Sequence, residues 1–160
     1  MDPLRELFVH HEWATRRLLE HCATLPASAL SASGPGTYGP LLATLVHLVS
    51  ADQRYLELLT GEVVEPRLRE GMEPAIPVLE DHFARQTERW RQVLANIDHV
   101  DVTLPSRGPW PEMPHARNLL IVQALTHGND HRMHACTILG ALGLPVPDLD
   151  GWAYWRANHL

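Results

Sequence analysis

The sequence contains no lysine: all 13 of its strongly basic residues are arginines, and 19 acidic residues outnumber them. The formal net charge is −6, and no run of basic residues offsets it locally. A chain of this sign repels phosphate backbones, whereas proteins that bind nucleic acid carry a basic patch or stripe. We therefore expect no nucleic-acid partner.

Cysteine is almost absent. Cys22 and Cys136 are the only two, they lie far apart, and neither belongs to a CxxC pair. The sequence therefore predicts neither a zinc ribbon nor a dithiol redox motif. Each cysteine lies within a helix-like stretch, which favours two buried, free thiols.

Long apolar runs are also missing. The longest apolar-rich stretch, Leu41 to Val49, is interrupted by Thr44 and His47 and is too short to span a bilayer. The first residues lack the basic segment and apolar run of a signal peptide. We therefore expect a cytoplasmic protein with no membrane partner.

The composition is otherwise that of a globular protein. The 160 residues are 45% hydrophobic and 20% charged, which favours one domain over residues 1–160 with a real core. Four segments have helical periodicity, and the strand-like stretches are too short to build a sheet. The predicted helices run from Asp2 to Leu25, from Pro40 to Gly61, from Ile76 to Ile97 and from His115 to Leu142.

The segments between these helices contain turn-forming residues. Residues 31–39, SASGPGTYG, are predicted to form a loop, and residues 99–114 to form a long irregular connection with one extended candidate, VDVTL. The tail, DLDGWAYWRANHL, is predicted to form a short aromatic helix on the bundle. Together these features predict an all-α four-helix bundle with at least one long crossover connection.

Histidine is abundant, with 11 residues in the chain. His127 and His131 stand at i and i+4, so both side chains point to the same side of the last long helix and can reach one cation. A helical wheel places them on the apolar stripe with Leu120, Ala124, His134, Ile138 and Leu142. Because Gly128 follows the first histidine, the segment does not match the HExxH motif of zinc proteases.

A third ligand must come from another helix. His47 is the strongest candidate, because it interrupts an apolar stretch and has the small neighbours Ala43, Ser50 and Ala51 on its face. His11 lies on an apolar stripe and fits a core role as well as a functional one. His82 stays undecided, whereas His10, His21, His99, His115 and His159 are predicted to be solvated.

Three motifs of the sequence form a recognisable set. The first helix contains His11, Trp13, Ala14, Leu18 and Leu19, and the second contains TLVHLVSADQRYLELL around His47 and Asp52. The last long helix contains His127, His131 and Arg132, before LGALGLPVPD. This set resembles the motifs of the DinB/YfiT-like family of small four-helix-bundle metalloproteins. The chain departs from the family pattern at Asp130, Met133 and His134.

This resemblance implies a site made by His47, His127 and His131, which is the set that the helical wheel also favours. It further implies zinc or nickel as the metal, a low-molecular-weight thiol such as mycothiol, bacillithiol or glutathione, and a homodimer. The first functional hypothesis is therefore a thiol-dependent S-transferase, or a related transferase or isomerase, that acts on a small-molecule substrate. The alternatives are a metal-dependent hydrolase and a non-enzymatic, stress-associated metal-binding bundle.

Other side chains have candidate roles around this site. Arg54, Arg132 and Arg156 are candidates to pair with a substrate carboxylate. Asp52 faces away from His47 on its helix and is expected to orient a partner helix. His134 has three candidate roles: to support a metal ligand from behind, to carry a proton, or to pack in the core. Trp13, Trp152 and Trp155 fit either a dimer interface or packing on the chain's own bundle.

Overall fold

A computed structural model describes residues 2–96, 102–104 and 115–160, without the side chain of His115. This part of the chain is mainly helical, which confirms the all-α prediction. The helices are α1 (Pro3–Ala23), α2 (Ala27–Leu30), α3 (Leu41–Thr60), α4 (Ile76–Ala95), α5 (Arg117–Ala141) and α6 (Gly151–His159). Two short strands, β1 (Thr103–Leu104) and β2 (His115–Ala116), lie between α4 and α5.

Capping residues explain where the long helices begin and end. The carboxylate of Asp2 accepts a hydrogen bond from the backbone N–H of Leu4 at 3.3 Å, and Pro3 occupies the first turn of α1. Gly61, with φ of 73°, ends α3 in the left-handed conformation that favours glycine. Gly143 adopts a similar φ of 68° just after α5.

Two local predictions were wrong. The helix α2 was not predicted, because four residues are too few to show helical periodicity. Strands β1 and β2 form an antiparallel ladder that pairs Thr103 with Ala116 and Leu104 with His115, so α5 begins two residues later than predicted. Ile97, His99 and the prolines at positions 105, 109, 111 and 114 lie outside the described residues.

The four long helices form a closed ring. Helix α1 packs against α4 and α5, and α3 packs against the same two helices from the opposite side. Consecutive helices α1 and α3 are therefore diagonal in the bundle, as are α4 and α5. This arrangement needs crossover connections, as predicted, and it places α3 directly beside α5.

The core consists of two apolar clusters with a polar layer between them. One cluster includes Leu45, Leu79 and Ile138, and the other includes Phe8, Leu56 and Trp90. Along each long helix, buried polar residues separate the two clusters: His11, Thr15, Asp52, Gln53, Gln86, Thr87, His131 and Arg132. Cys22 and Cys136 are buried and free, as predicted. Leu142, predicted on the buried stripe, is 43% exposed.

The C-terminal segment packs against α1, as the sequence predicted for the aromatic tail. The hydroxyl of Tyr154 donates to Glu6 at 2.5 Å, and the ring of Tyr154 lies 5.6 Å from that of Trp13. His10 contacts the Leu149 carbonyl oxygen at 2.9 Å and is half-buried, so its predicted solvation was wrong. His21 is half-buried as well. None of the helices in the described residues is long and apolar enough to cross a membrane.

Candidate metal centre

The three histidines predicted as ligands lie together between α3 and α5. One ring nitrogen from each of His47, His127 and His131 can be chosen so that all three lie within 4.8 Å of one another. The Nε2 atoms of His47 and His127 are 3.1 Å apart. The ring centroid of His131 lies 4.6 Å from that of His47 and 4.2 Å from that of His127. Among the described residues, this is the only such group of His, Cys, Asp and Glu side chains.

Side chains from two loops orient the ring of His47. The Nδ1 atom of His47 lies 3.1 Å from a carboxylate oxygen of Glu70, which accepts a hydrogen bond when Nδ1 is protonated. This contact leaves Nε2 of His47 as the free ligand atom, which is how outer carboxylates fix metal-binding histidines. Tyr38 stacks on the same ring, with centroids 4.1 Å apart and planes 20° from parallel. The ring therefore has one preferred tautomer and one orientation.

The local electrostatics keep the imidazoles neutral at pH 7. Burial, and then the positive charges of neighbouring histidines, lower the pKa of both His127 and His131 to about 4. Burial also lowers the pKa of His47, although the Glu70 carboxylate opposes this shift. Neutral imidazole is the form that binds a metal ion, so the site does not need to lose protons before a cation binds.

The residues present fit a divalent cation. Two imidazole nitrogens that bind one zinc ion tetrahedrally at about 2.0–2.1 Å lie about 3.3 Å apart. The separation of 3.1 Å between the Nε2 atoms of His47 and His127 is close to this value. Three neutral nitrogen donors suit zinc and nickel, whereas magnesium and calcium prefer oxygen ligands.

Two other histidines of the sequence analysis lie outside the trio. His134 packs edge-on against His131 at a centroid distance of 5.1 Å, one turn further along α5. His11 lies in the buried polar layer, and its Nδ1 accepts a hydrogen bond from Arg132 at 3.0 Å. Burial and Arg132 hold the pKa of His11 well below its ordinary value. His11 is therefore a neutral core residue.

Asp52 links helices of the bundle, as the sequence predicted. Its carboxylate accepts a hydrogen bond from the Trp90 indole N–H at 2.8 Å, which connects α3 to α4. Burial raises the pKa of Asp52 to about 7, and the Trp90 hydrogen bond and Arg132 partly oppose this shift. The second oxygen of Asp52 lies 3.8 Å from Nε2 of His11. This network lies inside the bundle, beside the metal centre.

The three candidate arginines have different surroundings. Arg132 is 4% exposed and bonds to His11 and Thr15, so it is a core residue. Arg156 is exposed and pairs with Asp148 at 3.3 Å. Arg54 lines a polar cavity that also includes Glu70. Of the three, Arg54 is therefore the one that shares a cavity with Glu70, the partner of His47.

Sequence reasoning missed Glu70 and Tyr38. Both lie in segments without helical periodicity, and their contacts with His47 span 23 and 9 positions along the chain. A carboxylate partner for a metal-binding histidine is a general expectation, but nothing in the sequence selects Glu70 among the 19 acidic residues.

Comparisons with known proteins agree with this architecture. The family model described as "DinB family" matches residues 1–158. The chain belongs to the DinB family. A solved structure of a DinB-like protein from Bacillus cereus ATCC 10987 is 18% identical and superposes with a TM-score of 0.67. That match covers 91% of this chain and 94% of the other. No curated protein matches the chain.

At 18% identity, this similarity shows the fold alone. Family membership and the three histidines together support a DinB bundle in which these side chains could hold a metal ion.

Proposed function

We propose that this DinB protein is a zinc- or nickel-dependent enzyme that transfers a low-molecular-weight thiol to a small electrophilic molecule. The observation that carries the proposal is the convergence of His47, His127 and His131 without a fourth protein donor among the described residues. Three protein ligands leave positions open to a substrate or water, as in catalytic zinc sites, whereas structural zinc sites have four. When bound, a divalent cation lowers the pKa of a thiol or water toward neutrality.

The side chains around the histidines have defined roles in this proposal. Glu70 and Tyr38 hold the ring of His47. Tyr55 covers His127 edge-on at a centroid distance of 5.7 Å, and Gln123 donates to the Tyr55 hydroxyl at 3.4 Å. The two tyrosines therefore flank the histidines with aromatic surface.

The chain's own thiols do not suit this chemistry. Burial raises the pKa of Cys22 to about 12 and also raises the pKa of Cys136. Both side chains belong to the buried part of the bundle. Because the thiolate is the nucleophile, neither cysteine supplies one near neutral pH. A thiol-transfer reaction therefore needs a thiol from outside the chain.

The test measures conjugation of glutathione, bacillithiol or mycothiol to 1-chloro-2,4-dinitrobenzene by protein loaded with zinc or nickel. In this reaction the thiol gives up its proton, sulfur bonds to the ring carbon and chloride leaves. At least one thiol should react faster in the presence of the wild-type protein than without protein. His127→Ala should abolish this acceleration. His159→Ala, which changes an exposed histidine on α6, should retain it.

Three outcomes would contradict the proposal. The first is the same rate with His127→Ala as with the wild-type protein. The second is metal-dependent hydrolysis of 4-nitrophenyl acetate without thiol transfer, which would favour the hydrolase alternative. The third is bound metal with neither activity, which would favour the non-enzymatic alternative.

A further inference from the structure

A polar cavity of about 440 Å³ lies beside the three histidines. The second half of α3 and the segment of residues 61–70 border it. Its lining includes Ser50, Arg54, Glu57, Arg67, Arg69 and Glu70. Because Glu70 also contacts Nδ1 of His47 at 3.1 Å, the cavity and the metal centre share a wall.

The positions of Ser50 and Arg54 on α3 align the cavity with His47. These residues follow His47 by three and seven positions, so all three side chains lie on the same face of the helix. Seven residues span about 10 Å along a helix axis, which is about two turns. A small molecule in the cavity can therefore place one end at Arg54 and the other at the histidines.

Charge pairing leaves this cavity with unpaired positive charge. Glu57 pairs with Arg67 and Glu62 with Arg89, whereas Glu70 contacts His47, whose imidazole is neutral. Within the described ranges, the guanidinium groups of Arg54 and Arg69 form no ion pair or hydrogen bond. Arg54 and Arg69 thus face one carboxylate without a charged partner, Glu70, which leaves one positive charge in excess in a chain with a net charge of −6.

Hydrogen bonds to α3 hold the cavity wall formed by residues 61–70 in place. The amide N–H groups of Gln53 donate to the carbonyl oxygens of Val64 and Pro66, and its amide oxygen accepts from the N–H of Leu68 at 3.2 Å. Glu57 accepts from the N–H of Val64 at 3.0 Å. Because Gln53 is only 3% exposed, these bonds lie away from solvent and fix the segment on α3. The backbone of the cavity wall is therefore fixed before a ligand arrives.

We propose that this cavity binds the carboxylate end of a small-molecule substrate through Arg54 and Arg69, while the reactive end lies at His47, His127 and His131. The planar guanidinium group pairs with a carboxylate through two parallel hydrogen bonds. A singly charged carboxylate suits the cavity better than a doubly charged phosphate, because the lining has one positive charge in excess. The placement of the reactive end at the histidines rests on the proposed function, whereas binding of the carboxylate does not require the metal.

The test compares two thiols that differ at one end, 6-mercaptohexanoate and 6-mercaptohexanol. Dissociation constants are measured on cobalt-loaded protein from the sulfur-to-cobalt absorption band. The wild-type protein should bind the carboxylate about tenfold more tightly than the alcohol. The double variant R54Q/R69Q should bind both with similar affinity, whereas R156Q, a matched change at an exposed arginine on α6, should keep the preference. 6-Mercaptohexyl phosphate should bind more weakly than the carboxylate.

A second measurement separates this inference from the proposed function. In metal-free protein, hexanoate should shift the NMR signals of the Arg54 and Arg69 side chains, and hexanol should not. Carboxylate binding without any thiol band would support the cavity and contradict the proposed function. Equal affinity of the wild-type protein for the acid and the alcohol, tighter binding of the phosphate, or unshifted arginine signals would overturn the cavity proposal.

Discussion

At the scale of single residues, Gly128 decides whether α1 and α5 can approach. A Cβ atom at this position would lie 2.3 Å from Cε1 and 2.7 Å from Nδ1 of His11, which are both closer than real contacts allow. His11 is buried and bonded to Arg132, so its ring cannot move without breaking that bond. The glycine between the two histidines of α5 thus makes room for a third histidine from another helix.

We therefore predict that Gly128→Ala lowers the free energy of unfolding by about 1–3 kcal/mol, because overpacking strains a filled core. Chemical denaturation of the metal-free protein measures this loss. In a His11→Ala background the same substitution should cost almost nothing, because the clashing ring is gone. An equal cost in both backgrounds would mean that another contact causes the loss.

The ionisation of Asp52 gives a second residue-scale prediction. Its pKa is about 7 in the folded protein, above its ordinary value of 3.8, so the folded state keeps the proton between these pH values while the unfolded state loses it. The stabilising contribution of the protonated form is therefore lost as the pH rises through about 7. The groups that face Asp52 are His11 on α1, Trp90 on α4 and Arg132 on α5.

Asp52→Asn should remove this dependence on pH, because asparagine can still accept from Trp90 and carries no charge. The difference in Tm between the variant and the wild-type protein should shift further in favour of the variant between pH 5 and pH 7. Calorimetry of metal-free protein at both pH values measures it. A difference that does not change with pH would show that Asp52 has an ordinary pKa.

At the scale of elements, Gln53 connects α3 to the segment that supplies Glu70. Leucine has a similar side-chain volume, but it leaves the backbone groups of Val64, Pro66 and Leu68 without these hydrogen-bond partners. Because unpaired buried polar groups are costly, Gln53→Leu should lower the free energy of unfolding by about 3 kcal/mol. It should also speed hydrogen exchange at the Leu68 amide. Gln92→Leu, at an exposed glutamine on α4, should do neither.

The sequence predicted the elements whose signals are local. Proline and glycine at the ends of helices and apolar spacing along them were enough to find α1, α3, α4 and α5. β1 lies within the extended candidate VDVTL, but its pairing with β2 was missed, because the ladder joins residues 11 or 13 positions apart through backbone groups that carry no side-chain pattern. The polar layer was also missed, because the partners of His11, Asp52 and Arg132 lie on other helices.

The candidate site was predictable only in part, for the same reason. The i, i+4 spacing of His127 and His131 is a property of one helix, and His47 is marked by its apolar surroundings. Glu70 gains its position when the segment of residues 61–70 folds back on α3, which no periodicity indicates. The three histidines that could hold a metal ion were therefore predicted from the sequence, and Arg54 was one of the candidate arginines, whereas Glu70 and Tyr38 were missed.

At the scale of the whole molecule, the predicted homodimer stays a prediction. Trp152 and Trp155 on α6 are 74% and 52% exposed, and exposed aromatic surface of this kind is common at protein interfaces. Sedimentation should give a dimer for the wild-type protein. In the double variant with Trp152→Ser and Trp155→Ser, the equilibrium should shift toward the monomer. A wild-type monomer would rule out the homodimer, and a dimer that survives both changes would place the interface elsewhere.

The account depends above all on α3 and α5 sharing one metal ion, and elemental analysis of the purified protein tests this most directly. We predict about one zinc or nickel ion per chain in the wild-type protein and in His159→Ala, with a sharp loss in both His47→Ala and His131→Ala. Each of these two variants removes a ligand from a different helix. Unchanged metal content in either variant would contradict the shared site.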